Sequence, residues 1–152
     1  MEKALSDIIK AATLGFAIAV TSINSNYSFI LGSGINLWCK DGHMQDIVDD
    51  PDFGAHFIYG YFENDVYCDH NNQGLSNLKN IKEDDTISIV YHGKVTQYNC
   101  ICVEEMIVDM AGQIRDEAGN YMGDSFGPCT VIYTCKGSKR LVTIWEEKYE
   151  RD

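Results

Sequence analysis

The stretch Thr130-Val-Ile-Tyr-Thr-Cys135-Lys-Gly-Ser-Lys-Arg140-Leu-Val-Thr-Ile-Trp145 reads as two strands joined by a short loop. β-Branched and aromatic residues fill 130–134 and 142–145, which suits strands. The first strand ends at Thr-Cys and an arginine opens the second. A thiol at a strand end can face a cleft. A guanidinium that cannot lose its proton can hold an oxyanion or position a carbonyl.

Upstream stands Val66-Tyr-Cys-Asp-His70-Asn-Asn-Gln-Gly-Leu-Ser-Asn-Leu-Lys-Asn-Ile-Lys-Glu-Asp-Asp85-Thr-Ile-Ser-Ile-Val90. Here a strand ends at a histidine, then a polar loop and a small apolar helix lead through an acidic turn into the next strand. A free thiol titrates near 8.5, so it is mostly protonated at neutral pH. A neighbouring imidazole and a guanidinium both favour the thiolate. The residue types needed for a cysteine nucleophile and its base are therefore present, each at a strand end.

Together the two stretches resemble the sortases, the bacterial cysteine transpeptidases. The family closes a strand with histidine and follows it with a Leu-Lys-x-Gly-Asp-x-Ile turn, matched here by Leu78-Lys-Asn-Ile-Lys-Glu-Asp-Asp85-Thr-Ile87. Its next hairpin often ends in Tyr-x-Val, where this chain has Tyr98, Cys100 and Cys102. Its nucleophile sits in Thr-Leu-x-Thr-Cys with an arginine at the start of the following strand, matched by Thr130 to Cys135 and by Arg140. The likeness covers residues 35–146. The chain departs from the pattern at Asp69 and Asp84, where the family prefers glycine, and its loop between Cys135 and Arg140 is short for the family.

The resemblance implies a single closed antiparallel or mixed β-barrel. It also implies that the Cys135 thiolate attacks a peptide carbonyl near a substrate C-terminus. Arg140 steadies the oxyanion, and His70 protonates the leaving amine. An amine or water then resolves the thioester. Thr134 and Asp69 flank this pair and are the expected substrate-binding residues. The implied partners are a peptide or protein with a C-terminal sorting motif and an amine acceptor, with no cofactor. The competing expectation is an inactive sortase-fold binding or structural module, such as a phage particle would carry. A typical sortase is exported or lies at the cell surface; the alternatives are the cytoplasm or a phage particle.

Outward from these stretches, many short strands and few helices point to a mostly β barrel or sandwich. A helix is expected over residues 2–14, with Leu5, Ile8, Ile9, Ala12 and Phe16 on one face. Short β-type runs follow at 16–21, 27–31 and 35–39, with turns at 24–26 and 32–34. The 44–48 stretch suits one helical turn or a short strand. Residues 56–61 and 66–68 suit strands around a turn at 63–65. Thr86 to Tyr91, a His92-Gly93 turn and a return strand over 94–106 make the clearest hairpin. Residues 109–126 suit a long loop and 146–152 a solvated tail. One domain, 1–152, is expected, with an N-terminal helix through residue 15 and a barrel over 16–146.

The net charge of −11 excludes nucleic acid and disfavours anionic membranes, while a cationic or neutral peptide or an amine is matched. Residues 11–23 are apolar but too few to span a bilayer, and no positively charged segment precedes them. Of six cysteines, all but Cys135 suit small buried hydrophobes. Cys100 and Cys102 would share one strand face, and Cys129 suits the start of the nucleophile strand. The histidines are not at zinc-finger spacing. Glu104, Glu105, Asp109, Asp116 and Asp124 could hold calcium, as in some sortases, but they match no EF-hand pattern, and a solvated acidic loop is the favoured reading. His43, His56 and His92 are expected to be structural.

Overall fold

Side-chain alternation along short strands builds the molecule. The computed structural model describes residues 1–42, 45–109 and 113–149. The strands are β1 (Tyr27–Gly32), β2 (Ile35–Asp41), β3 (Gly54–Tyr59), β4 (Asn64–Asp69), β5 (Thr86–Tyr91), β6 (Lys94–Val108), β7 (Ile114–Arg115), β8 (Thr130–Lys136) and β9 (Lys139–Glu147). They run in the order β5-β1-β2-β3-β4-β8-β9-β6-β7, and β5 also pairs with β6. That last pairing closes eight strands into a barrel, with β7 as a short addition on β6. Closure leaves no long free edge among the described residues. The β2–β3 and β4–β8 pairings are parallel and the others antiparallel.

Two hairpins depend on local chemistry. Between β5 and β6, His92 and Gly93 both have positive φ, 50° and 75°. This is the requirement of a type I′ turn, whose twist matches that of the strands. Between β8 and β9, Gly137 (φ 59°) is the first central residue of a two-residue turn that pairs Lys136 with Lys139.

The barrel interior holds Ile30, Leu37, Tyr67, Leu78, Ile89, Ile132 and Trp145 among its buried side chains. Trp145 is fully buried, and its indole N–H donates to the Thr143 hydroxyl at 2.7 Å. That hydroxyl in turn donates to the Ile132 carbonyl at 2.9 Å. Thr143→Val keeps the shape but orphans the indole N–H. An unsatisfied buried donor costs about 1–3 kcal/mol, so the urea midpoint of this variant is expected to fall with an unchanged m-value. A second buried cluster lies on the outer face of the sheet: Val66, Cys102, Met106, Ile114, Met122, Val131, Val142 and Ile144.

Cys100 belongs to the inner cluster and Cys102 to the outer one. They do not share a face as expected. A β-bulge in β6 between them shifts the pairing with β9, and the extra residue turns the alternation over.

The N-terminal helix α1 runs from Glu2 to Ile23, past the expected end near residue 15. Residues 16–21 are therefore helical, and the barrel begins at Tyr27. The reason is helical spacing: Leu14, Ala17 and Thr21 lie on one face, and Leu14 and Ala17 pack with Phe29, Val90 and Trp38. Thr21 is buried. Its hydroxyl donates to the Ala17 carbonyl (2.9 Å) and accepts from the Gly93 N–H (2.9 Å), joining the helix to the β5–β6 turn. At 22 residues α1 is long and apolar enough to cross a membrane by length and composition, and most of it is uncovered by the barrel.

The long 109–126 loop contains β7 and a short helix α3 (Met122–Phe126). Ile114 and Met122 are buried on the outer cluster, which is why this segment is ordered into elements. Another short helix, α2 (Gln45–Val48), precedes β3. The turn expected at 63–65 sits earlier, with Glu63 N–H bonded to the Gly60 carbonyl and β4 beginning at Asn64. Residues 43, 44, 110–112 and 150–152 lie outside the described residues, so the expectations for His43 and for those parts of the 44–48, 109–126 and 146–152 stretches do too.

Candidate active site

β4 and β8 run parallel, with Asp69 beside Thr134. His70 and Cys135 are the next residue on each strand path. Neighbouring strands lie about 4.8 Å apart, so the parallel register sets these two residues side by side although they are far apart in sequence. β9 returns antiparallel, and its register sets Arg140 directly opposite Cys135. The short loop between them is the tight Gly137 turn, which pairs Arg140 with Cys135 across the strands, and the guanidinium donates to the Lys139 carbonyl at 3.2 Å.

Period-two alternation then selects the face. Val66, Cys68 and His70 from β4 and its end share an outward face with Tyr133 and Cys135 of β8 and with Arg140 of β9. All six line one cavity of about 290 Å³. Phe57, Tyr59, Val108 and Ile114 form its apolar wall, and Gln45 and Val48 of α2 close another side.

Electrostatics place Arg140 and Cys135 around the same neighbours. Burial pushes the Cys68 thiol up to about 11 and raises the Tyr133 phenol. At both groups the Arg140 charge opposes the rise and Cys135 adds to it. Burial likewise pushes Cys100, Cys102 and Cys129 up to about 11, and Cys39 well above its ordinary value. Cys135 is half-buried, with one side on the cavity.

Thr134 and Asp69, the expected substrate-binding residues, sit beside the pair but are committed to the backbone. Thr134 is buried, and its hydroxyl donates to the Asp69 carbonyl at 2.8 Å. The Asp69 carboxylate accepts from the His70 N–H at 2.8 Å and from the Gly74 N–H at 3.0 Å. It therefore shapes the loop after β4, and its partner is the backbone N–H of His70, not the ring. Burial pushes its carboxyl up to about 6 against those two bonds.

Three contributors carry no sequence signal of their own. Asp49, just after α2, lies 2.7 Å from Nε2 of His70. Asn71 donates from Nδ2 to the Cys135 carbonyl at 3.0 Å, tying the histidine loop to β8. Gln45 donates to Asp49 at 2.9 Å. Only Tyr133 could have been found earlier, by counting two residues back from Cys135 along the strand.

The other expected residues have other partners. His56 is buried between Asp41 and Asp65. Of the acidic positions, Glu105 pairs with Lys136 at 2.5 Å, Asp109 with Arg115 at 3.1 Å, and Asp116 with Asn120. Among the described residues no group of three or more His, Cys, Asp or Glu side chains could hold a metal ion.

Solved structures share this barrel and its strand arrangement. Sortase A from Corynebacterium diphtheriae, in a lid mutant, superposes with a TM-score of 0.59 at 16% identity, over 84% of this chain and 72% of that one. This chain has the sortase fold. A sortase D5 transpeptidase from Clostridium perfringens matches with a TM-score of 0.61 at 17% identity, covering 82% of this chain and 79% of the other. For sortase C from Streptococcus pneumoniae the values are 0.62, 13%, 86% and 72%. No protein-family model and no curated protein matches the sequence. The chain is thus a divergent bearer of the sortase fold.

Proposed function

We propose that this chain is a cysteine transpeptidase or peptidase that cleaves a peptide near its C-terminus. The observation that carries the reading is the register: the parallel β4–β8 pairing and the antiparallel β8–β9 pairing bring His70, Cys135 and Arg140 to one cavity wall. The Cys135 thiolate attacks the scissile carbonyl and forms a C–S bond. Arg140 donates to the developing oxyanion, a role that its fixed charge and fork geometry suit. His70 gives its proton to the departing amine as the C–N bond breaks. An incoming amine, or water, then attacks the thioester and returns the thiolate.

The net charge of −11 favours a neutral or cationic peptide and an amine acceptor over anionic partners. The experiment is incubation with a library of peptides bearing C-terminal sorting-type sequences, with and without a small amine, followed by mass spectrometry. Cleavage that yields an amine adduct supports transpeptidation, and cleavage without an adduct supports hydrolysis. Absence of both products across the library would favour the inactive binding-module reading.

Arg140→Ala is expected to lower kcat by about 10²-fold or more, the range for loss of one oxyanion donor, and Arg140→Lys to recover part of it. A fall confined to KM in steady-state assays would remove Arg140 from the oxyanion role.

A further inference from the structure

We propose that Asp49 is a positioning residue for His70: it takes the Nε2 hydrogen and so leaves Nδ1 as the nitrogen that exchanges protons in the reaction. The inference rests on the functional reading above. Asp49 Oδ1 lies 2.7 Å from Nε2, a charge-assisted length. An ionised carboxylate only accepts, so the shared hydrogen belongs to the imidazole. Which ring nitrogen carries the proton is set by the bond the other makes. With Nε2–H turned to Asp49, neutral His70 presents its lone pair at Nδ1, and the imidazolium presents Nδ1–H to a leaving amine. Among the described residues, Nδ1 carries no hydrogen bond.

Asp49 is itself fixed. Its N–H is bonded to the Gln45 carbonyl at 2.8 Å, and the Gln45 amide donates to the same Oδ1 at 2.9 Å. The hydrogen bond from His70, then that from Gln45, holds its carboxyl below the usual carboxylate range. The next residue, Asp50, pairs with Lys40 of β2 at 3.7 Å, and Lys40 also sits 4.2 Å over the Phe53 ring. Gln45 and Val48 wall the cavity, so the segment that carries Asp49 is part of the site. Around His70 the other titratable or charged groups are Asp69 on β4, bound to backbone N–H groups, Cys68 on β4, Tyr133 and Cys135 on β8, and Arg140 on β9. Asp69 also feels the His70 charge, but its hydrogen bonds go to backbone N–H groups, so Asp49 is the carboxylate bonded to the ring. The arrangement repeats the general logic of a base oriented by a third group.

Both partners are partly exposed, so the pair contributes little to stability, and Asp49 variants should fold. The test uses the full chain with ¹⁵N-labelled histidine, in wild type, Asp49→Ala and Asp49→Asn, with His70→Gln to assign the signal. A slowly exchanging, downfield Nε2–H resonance of His70 is expected in wild type. It should be lost in Asp49→Ala and retained in Asp49→Asn, which keeps an acceptor oxygen. In the peptide assay, Asp49→Ala should lower kcat about 10- to 100-fold with KM little changed, the scale of a misplaced catalytic group, and Asp49→Asn should recover part of the loss. Wild-type turnover in Asp49→Ala, or no such resonance in wild type, overturns the inference and leaves the functional reading standing. A wild-type chain that turns over no peptide removes the functional reading, and this inference falls with it.

Discussion

Cys135→Ala is expected to abolish peptide cleavage and amine transfer, lowering kcat/KM by at least about 10³-fold. The side chain is the only proposed source of the covalent bond. The substitution sits at the penultimate position of β8, on the cavity side, where alanine keeps the strand pairing with Arg140. The urea midpoint should therefore stay close to that of wild type, which separates lost chemistry from lost structure. His70→Ala should produce a loss of the same order. Groups that act as a unit are strongly non-additive, so the double variant Cys135→Ala/His70→Ala should be no worse than either single one. Residual cleavage above background in Cys135→Ala would mean that another group is the nucleophile.

The largest stability effect is expected at His56. Its ring is 2% exposed, with Nδ1 2.7 Å from Asp41 and Nε2 2.7 Å from Asp65. It stacks on Tyr67 at 4.4 Å, and the Tyr91 hydroxyl donates to the other oxygen of Asp41. Asp41, His56, Asp65 and Tyr91 come from β2, β3, β4 and β5, so the cluster joins one end of the barrel. His56→Leu leaves two carboxylates facing an uncharged side chain. Asp41 and Asp65 stay partly exposed, at 32% and 42%, so the cost is that of the lost hydrogen bonds to charged groups, about 1.5–3 kcal/mol each, read as a drop in the urea midpoint.

The same cluster makes stability depend on pH. Burial lowers the His56 pKa, but the hydrogen bonds to Asp65 and then Asp41 outweigh it, and the net shift is upward. A raised folded pKa means that this contribution is fully present below the unfolded value of about 6.5. It is lost as pH rises through the folded pKa. Unfolding free energies measured from pH 6 upward should decline in wild type, and that decline should be absent in His56→Leu. A parallel decline in both would place the titration elsewhere.

The local patterns of the proposed site are more legible in the sequence than its supports are. Cys135, His70 and Arg140 stand at strand ends in recognisable local patterns, and the hairpins at His92-Gly93 and Gly137-Ser138 obey local turn rules. What local rules do not encode is pairing between distant strands. The β4–β8 register that sets Asp69 beside Thr134 is parallel, so no hairpin announces it, and it alone makes the two ends one site. Asp49 was invisible for the same reason: it lies in an acidic run, and only the placement of α2 brings it to the histidine. Residues 16–21 suited a strand by composition, yet Leu14, Ala17 and Thr21 had a barrel face to bury and the helix continued. Alternation puts Cys100 and Cys102 on one face, and a single bulge residue reverses that.

The most direct test of the central claim is the rate at which each cysteine of the native chain reacts with iodoacetamide, mapped by mass spectrometry over time. Burial keeps Cys39, Cys68, Cys100 and Cys102 from solvent and, with Cys129, raises their thiols. Cys135, on the cavity with His70 and Arg140, should be alkylated first and well ahead of the other five, and His70→Ala should slow it. Labelling of all six at similar rates, or of Cys129 ahead of Cys135, would contradict the account.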